Sequence, residues 1–525
     1  MDKLSLTRDE AGTVEGDHGG KRLAWNSMLN LGTGLLITGL NLLFIPLMLR
    51  EFGTELFGVL STTWMVLASL AWLDLGFGRA TARFVSQDVA VGRIDRAAVW
   101  TWTAVLTQTF LGLIGAVVLS CIAPFIVDHI HVQEENRALV ILSLRLFAFS
   151  IPIEFATRST TGVLQAGQRF DWVNALNLFN TFSTFIAYGS GILLGNNFLV
   201  VIYVLFALKV LNLFMAYGAS VRVLPSLGQL SQIALAPREY WAHAITMVKY
   251  GSWIAFASGV GPLLLYFDQW IISFILGISM LPLYTIPFNV IGRLFLFPYS
   301  ISSTLFPAFS ALEARTEWER IEKYFVRANR YLLATIMPLL FVLFVWAPEF
   351  FRLWLGAEIG SQVTLPFRIL VVGFGVGLLA PLSGTLLEAI GRPDVLVKLY
   401  LVELPFNVAI VWFLVRNYGI TGAALSYSIR TVVETFILWI IVYRLIPLSG
   451  MRLVKSGFLK PFVMAPFLGI GAYLIRGAVI QSYFDVAASL LTLSLYGFCV
   501  FVFILDRRDR DFVFGFYRNR RERPI

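Results

Sequence analysis

Apolar residues gather along this chain in runs of about twenty or more, recurring from Ala24 to Leu505 with short polar stretches between them. Crossing the bilayer core takes about 20 mostly apolar residues. The pattern therefore predicts helical spans over 24–49, 57–86, 100–127, 139–165, 173–194, 199–221, 250–276, 283–312, 329–347, 362–387, 397–415, 420–443, 457–475 and 485–505. That is an all-α integral membrane protein of about fourteen transmembrane helices, and an even number places both ends on one side. Composition agrees: 58% of the 525 residues are apolar and 14% charged, against roughly 45–50% and 25% in soluble domains. With a mean hydropathy of +0.76, a water-soluble globular protein is excluded.

Lys and Arg collect in cytoplasmic loops, so correctly read spans should alternate in basic content. The N-terminal segment, every second loop and the C-terminal tail hold 31 of the 41 basic residues, and the opposite loops hold Arg50, Arg137, Arg352, Arg416 and Arg476. Both termini are thus expected in the cytoplasm. The net charge of +9 is a charge of that face, densest between Arg507 and Arg523. Anionic membrane lipids suit it as a partner better than nucleic acid. The first twenty residues are polar and acidic and read as a tail without a cleavable signal. Cys121 and Cys499 lie inside apolar runs, which argues against a disulfide framework or a thiolate metal site. Glu313 to Arg330 places Trp318, Ile321 and Phe325 at helical spacing, so it reads as an interfacial amphipathic helix, with a solvated connector as the alternative.

An eight-residue pattern, Leu164-Gln-Ala-Gly-Gln-Arg169-Phe-Asp171, returns as Leu387-Glu-Ala-Ile-Gly-Arg392-Pro-Asp394 at an offset of 223. The same offset carries Arg145 onto Arg368, and nearby offsets carry Gly53 onto Gly277 and Arg222 onto Arg444. Six spans repeated in one direction make two parallel repeats, an arrangement suited to alternating access around a midplane site. The expected organisation is a disordered tail (1–23), an N-terminal lobe (24–221), a cytoplasmic linker (222–249), a C-terminal lobe (250–443), two extra spans (444–505) and a basic tail (506–525).

Pro46 to Gly58, Leu73-Asp74-Leu75-Gly76 and Ala82-Arg83-Phe84 resemble the opening of the polysaccharide flippases of the multidrug/oligosaccharidyl-lipid/polysaccharide superfamily. Tyr266-Phe-Asp268, Leu305-Phe-Pro307, Trp354-Leu-Gly356, Gly391-Arg-Pro393 and Gly419 to Ala424 extend the resemblance over nearly the whole chain. It implies a protein of the cytoplasmic (inner) membrane that moves a polyprenyl-pyrophosphate-linked oligosaccharide from the inner to the outer leaflet for O-antigen or exopolysaccharide synthesis. A polysaccharide polymerase and chain-length machinery are the partners to look for. Drug or metabolite antiporters of the same superfamily are the near competitor; a membrane glycosyltransferase or polymerase is the more distant one.

No phosphate-binding loop of the Gly-x-x-x-x-Gly-Lys-Ser/Thr type occurs. The chain is read as a non-enzyme without a cofactor, driven by a proton or sodium gradient. His129 and His131 beside Glu134 and Glu135 read as an exposed outer loop, not as a metal site. Gly373, Gly375 and Gly377 sit in an apolar span and read as close helix packing.

With those 31 inner-face and five outer-face residues set aside, five of the 41 basic residues remain, deeper within spans: Arg145, Lys209, Arg293, Arg368 and Arg430. A cation at the bilayer centre costs at least ~2.5–3.5 kcal/mol and faces protein or water. Guanidinium groups match phosphate oxygens, so the five are candidates for a cationic lumen. Arg145 and Arg368 are alternatively read as reaching outer headgroups, and Arg430 as the i,i+4 partner of Glu434. Arg293 has no carboxylate within four residues and lies roughly 15 Å deep by a 1.5 Å rise per residue, which makes it the preferred headgroup contact. Asp74, Glu154, Asp268, Glu403 and Glu434 are the ion-coupling candidates, each alternatively a structural partner for a buried cation. Pro46 and Pro262, on the first span of each repeat, are the candidate gate, with static kinks as the alternative.

Overall fold

A computed structural model describes residues 15–69, 77–195, 197–228 and 237–446. The spans expected over 457–475 and 485–505, the basic tail and Asp74 lie outside the described residues. In hydrocarbon no water satisfies backbone N–H and C=O groups, so each apolar run closes its hydrogen bonds within itself as a helix. Many hydroxyls within the runs do likewise, as Thr63 and Thr81 donate to Val59 and Phe77 carbonyls at 2.8 Å.

The chain divides into two compact units, Met1–Pro282 and Leu283–Ile525. The first holds α1 (Glu15–Ser69), α2 (Phe77–Ala90), α3 (Ile94–His129), α4 (Glu134–Ala166), α5 (Phe170–Leu193), α6 (Phe198–Val223) and α7 (Pro237–Ile275). The second holds α8 (Leu281–Gly292, which begins at the boundary), α9 (Leu296–Ala314), α10 (Trp318–Val345), α11 (Ala347–Leu355), α12 (Ala357–Gly377), α13 (Ala380–Ala389) and α14 (Pro393–Leu445). Eight helical stretches among the described residues are long and apolar enough to cross a membrane.

All ten residues with φ in the left-handed region among the described residues fall into five pairs, 223 to 225 positions apart. They are Gly53 with Gly277, Gly92 with Thr316, His131 with Gly356, Gln168 with Gly391, and Gly195 with Gly419. Helix ends that turn sharply need such a residue, so the chain reverses at matching places in its two halves. Gly53 divides α1 and Gly419 divides α14 into two helical segments each. The repeated octapeptide folds the same way twice. Arg169 N donates to Leu164 O at 2.8 Å and Arg392 N to Leu387 O at 2.9 Å. Each arginine side chain then clasps the aspartate two residues on, Asp171 at 2.7 Å and Asp394 at 3.1 Å. The hydrogen bond from Arg169 holds the Asp171 carboxyl below the usual aspartate range.

Three expectations are corrected. The linker assigned to 222–249 is largely helical at its end, because α7 already starts at Pro237. The compact division falls at Pro282 rather than near 250. The reason is packing: α7 lies on α1, α2 and α3, and its His243 ring meets the edge of Trp100 at 4.4 Å while Phe84 stacks on Trp100 at 4.5 Å. Trp100 Nε1 donates to Asp88 at 2.9 Å, closing that cluster. Third, the segment from Glu313 to Arg330 is not a separate interfacial helix. From Trp318 it is the first half of α10. Ile321 and Phe325 are fully buried, and Phe325 packs on Trp439 of α14 at 5.7 Å, so its apolar face meets protein instead of lipid headgroups.

Helices approach closely where side chains are smallest. Gly373 and Gly377 of α12 sit against Ser428 and Thr431 of α14 with no room for a Cβ, as the close-packing reading expects. In the first unit a Cβ on Gly162 of α4 would stand 2.7 Å from the Gly78 carbonyl of α2. Gly162→Val is therefore expected to force α2 off α4 and to cost about 1–3 kcal/mol, read as a lowered melting temperature of the purified protein.

Candidate functional site

In the first unit α4 presents Glu154, Thr157, Arg158 and Thr161 at helical i, i+3, i+4 and i+7 spacing, along one face. Glycine pairing lets α2 approach that face, which brings in Arg79 beside Gly78. α5 adds Asn177 and Asn180, three residues apart, and α6 adds Asn212. Together they surround a cavity of about 310 Å³. Lys209 of α6 donates to Glu154 at 3.1 Å, and Arg158 lies 3.8 Å from the other carboxylate oxygen. Two cations therefore neutralise one half-exposed acid.

The second unit holds a different polar cluster inside α14. Phe288, Phe374 and Tyr427 form an aromatic triad with centroids 4.9–5.4 Å apart. Over Tyr427 lies the Arg430 guanidinium at 5.1 Å. Arg430 donates to Glu434 at 3.0 Å, with both side chains 11% exposed. Tyr400 hydrogen-bonds the same carboxylate. Glu403 is within electrostatic reach of this pair. It is buried one helical turn from Asn407, and the side-chain oxygens of both, with Asn407 Nδ2, have no hydrogen-bond partner among the described residues.

The sequence candidates thus separate. Lys209 and Glu154, read independently as a lumen cation and a coupling acid, are one ion pair. Arg430 and Glu434 form the pair that their spacing allowed. Arg368, read as a lumen cation or as reaching outer headgroups, is partly buried on α12. Its Nε donates to Phe344 O at 2.9 Å and it lies 5.3 Å over the Phe344 ring, so it caps the carbonyls at the end of α10. Arg145 is exposed on α4, and Asp268 is fully buried on α7. Arg293 starts a single 3-10 turn, Arg293–Phe295, that interrupts the predicted span between α8 and α9. It is exposed and has no ion-pair partner among the described residues. In the gate reading, the backbone stays helical through Pro46 and breaks at Gly53 instead. Pro262 lies within α7, and its side chain lies outside the described residues.

Asn177, Asn180, Asn212 and Gln165 were absent from the sequence candidates, although a carboxamide within an apolar span was a signal that charge counting passed over. Arg79 and Arg158 were counted only as inner-face charge, since their distance from the other cavity residues along the chain hid their convergence.

A family model described as MatE matches residues 31–189. The putative O-antigen transporter of Shigella flexneri is 22% identical over 425 residues, 79% of this chain and 96% of that protein. The probable low-salt glycan biosynthesis flippase of Haloferax volcanii is 25% identical over 180 residues, 32% of this chain and 37% of that one. Among solved structures, the lipid II flippase MurJ in an inward closed conformation matches with a TM-score of 0.70 at 13% identity, covering 91% of this chain and 98% of MurJ. The chain has the fold of these transporters. An inward-facing multidrug resistance MATE family transporter of the MOP superfamily matches at a TM-score of 0.64 and 15% identity, over 83% of this chain and 96% of that one. With its apolar helices, that fold makes this a multi-pass membrane protein.

Proposed function

We propose that the protein is a flippase that moves a polyprenyl-pyrophosphate-linked oligosaccharide from the inner to the outer leaflet of the cytoplasmic membrane, by alternating access. The observation that carries this reading is the lining of the first unit's cavity. Sites for apolar drugs are lined mainly by hydrophobic and aromatic side chains. Here Leu176 is the one large apolar side chain in the lining, beside guanidinium, carboxamide and hydroxyl groups and the Glu154 carboxylate, which Lys209 and Arg158 neutralise. That chemistry suits phosphate and sugar. The likeness to an O-antigen transporter over most of both chains supports the same reading, as does the fold shared with a lipid II flippase.

Both termini are proposed to lie in the cytoplasm, a reading that the distribution of basic residues supports. The polysaccharide polymerase and chain-length machinery are proposed as functional partners. Coupling to a proton or sodium gradient is proposed to run through the acids that the membrane interior isolates. Glu403 with Asn407 is the first choice among them, because neither side chain has a hydrogen-bond partner among the described residues. Purified protein in liposomes is expected to flip a lipid-linked oligosaccharide faster under an imposed proton or sodium gradient, with no response to ATP. Translocation driven by ATP alone, or indifferent to both gradients, would refute the coupling. Failure to flip any lipid-linked sugar while extruding organic cations would move the protein to the drug antiporters.

A further inference from the structure

We infer that the first unit's cavity is a sugar-phosphate subsite, in which Arg79 takes a phosphate oxygen and the carboxamides of α5 and α6 read the first sugar attached to it. This rests on the flippase reading and adds to it the residues that select the cargo.

The lining divides into two chemistries. Among its charged groups, Glu154 is held by Arg158 and, from behind the lining, by Lys209, whereas Arg79 of α2 has no hydrogen-bond or ion-pair partner among the described residues. A guanidinium offers five donors and no acceptor, which matches a phosphate. The rest of the lining is neutral and both gives and accepts. Asn177 and Asn180 share one face of α5 and leave their side-chain amides without a partner among the described residues. Asn212 Oδ1 of α6 is buried and accepts no hydrogen bond, a state that costs free energy until a donor arrives. Thr157 and Thr161 spend their protons on the Ile153 and Thr157 carbonyls at 2.8 and 2.7 Å, so toward the cavity they act as acceptors. A sugar ring carries donors and acceptors side by side, and carboxamides answer both.

Size limits what enters. A volume of about 310 Å³ stands at the low end of the ~300–1,000 Å³ typical of small-molecule sites. It fits one sugar with its phosphate, and the remaining sugars and the lipid stay outside. Discrimination then falls on the first sugar alone, because a site built to bond a hydroxyl rejects a ligand that lacks it.

The test uses the full chain in lipid nanodiscs and measures binding of farnesyl pyrophosphate, bare or carrying one N-acetylglucosamine, galactose or mannose. The best glycosylated probe is expected to bind about tenfold or more tighter than the bare one, on the strength of two or three net hydrogen bonds. Asn177→Ala combined with Asn180→Ala should erase that advantage and leave bare farnesyl pyrophosphate unchanged, while Arg79→Ala should weaken all probes together. All three positions are exposed, so their removal leaves the packing intact, and a melting curve verifies it. If the double variant keeps the wild-type preference, or if wild type binds bare and glycosylated probes equally, the subsite is wrong and the flippase reading stands. If no probe binds at all, the flippase reading falls with it.

Discussion

Glu434→Ala is expected to destabilise the protein by about 3–5 kcal/mol, the cost of leaving a buried cation without its carboxylate. The geometry gives the reason. Arg430 and Glu434 meet at 3.0 Å with only 11% of each side chain exposed, and the Arg430 guanidinium lies over the Tyr427 ring. Replacing both residues behaves differently, because removing the two charges together also removes their desolvation penalty. Arg430→Leu with Glu434→Leu should therefore melt close to wild type, well above the single variant. The two proteins are compared by thermal unfolding in detergent. Equal losses in the single and double variants would show that Glu434 acts through Tyr400 or through packing, and that the pair carries no special weight. A double variant that is well folded yet fails to respond to an ion gradient would place the pair in coupling.

What was legible in the sequence follows from the range over which its signals act. The apolar runs are local, and the helices α3, α4, α6 and both segments of α14 lie where they predict. The repeat was legible because a sharp helix turn constrains a few consecutive residues, and Arg169 with Asp171 and Arg392 with Asp394 preserve both the turn and its clasp. Interruptions were not legible. The turn at Arg293 sits in an unbroken apolar run, where hydropathy does not distinguish a 3-10 turn from a helix. Long-range pairing was invisible as well. Lys209 finds Glu154 at a separation of 55 residues, and Arg368 finds the Phe344 carbonyl at 24. Lys209, Glu154 and Arg368 each stand out on their own as charges within apolar runs, but no spacing rule links residues on different helices. The cavity amides escaped for another reason: they are uncharged, so a search for costly charges inside the membrane ranks them last.

Arg293→Ala is expected to abolish most flipping, by about a hundredfold, while the amount and melting temperature of the protein stay as in wild type. Its place in the fold supports this. A guanidinium at the break between α8 and α9, exposed and without an ion-pair partner among the described residues, is retained near midspan at a cost of at least ~2.5–3.5 kcal/mol unless water or an anion meets it. A travelling pyrophosphate is such an anion, and charge-assisted hydrogen bonds of ~1.5–3 kcal/mol correspond to losses of up to about a hundredfold. Arg293→Lys preserves the charge but not the paired donors, so it should fall between wild type and alanine. A structural role predicts the opposite pattern. If Arg293 instead neutralises a buried acid, alanine lowers the yield of folded protein, and removing that acid as well restores it. Flipping measured beside melting on the same preparations separates the two, and full export by a stably folded Arg293→Ala protein would eliminate the headgroup contact.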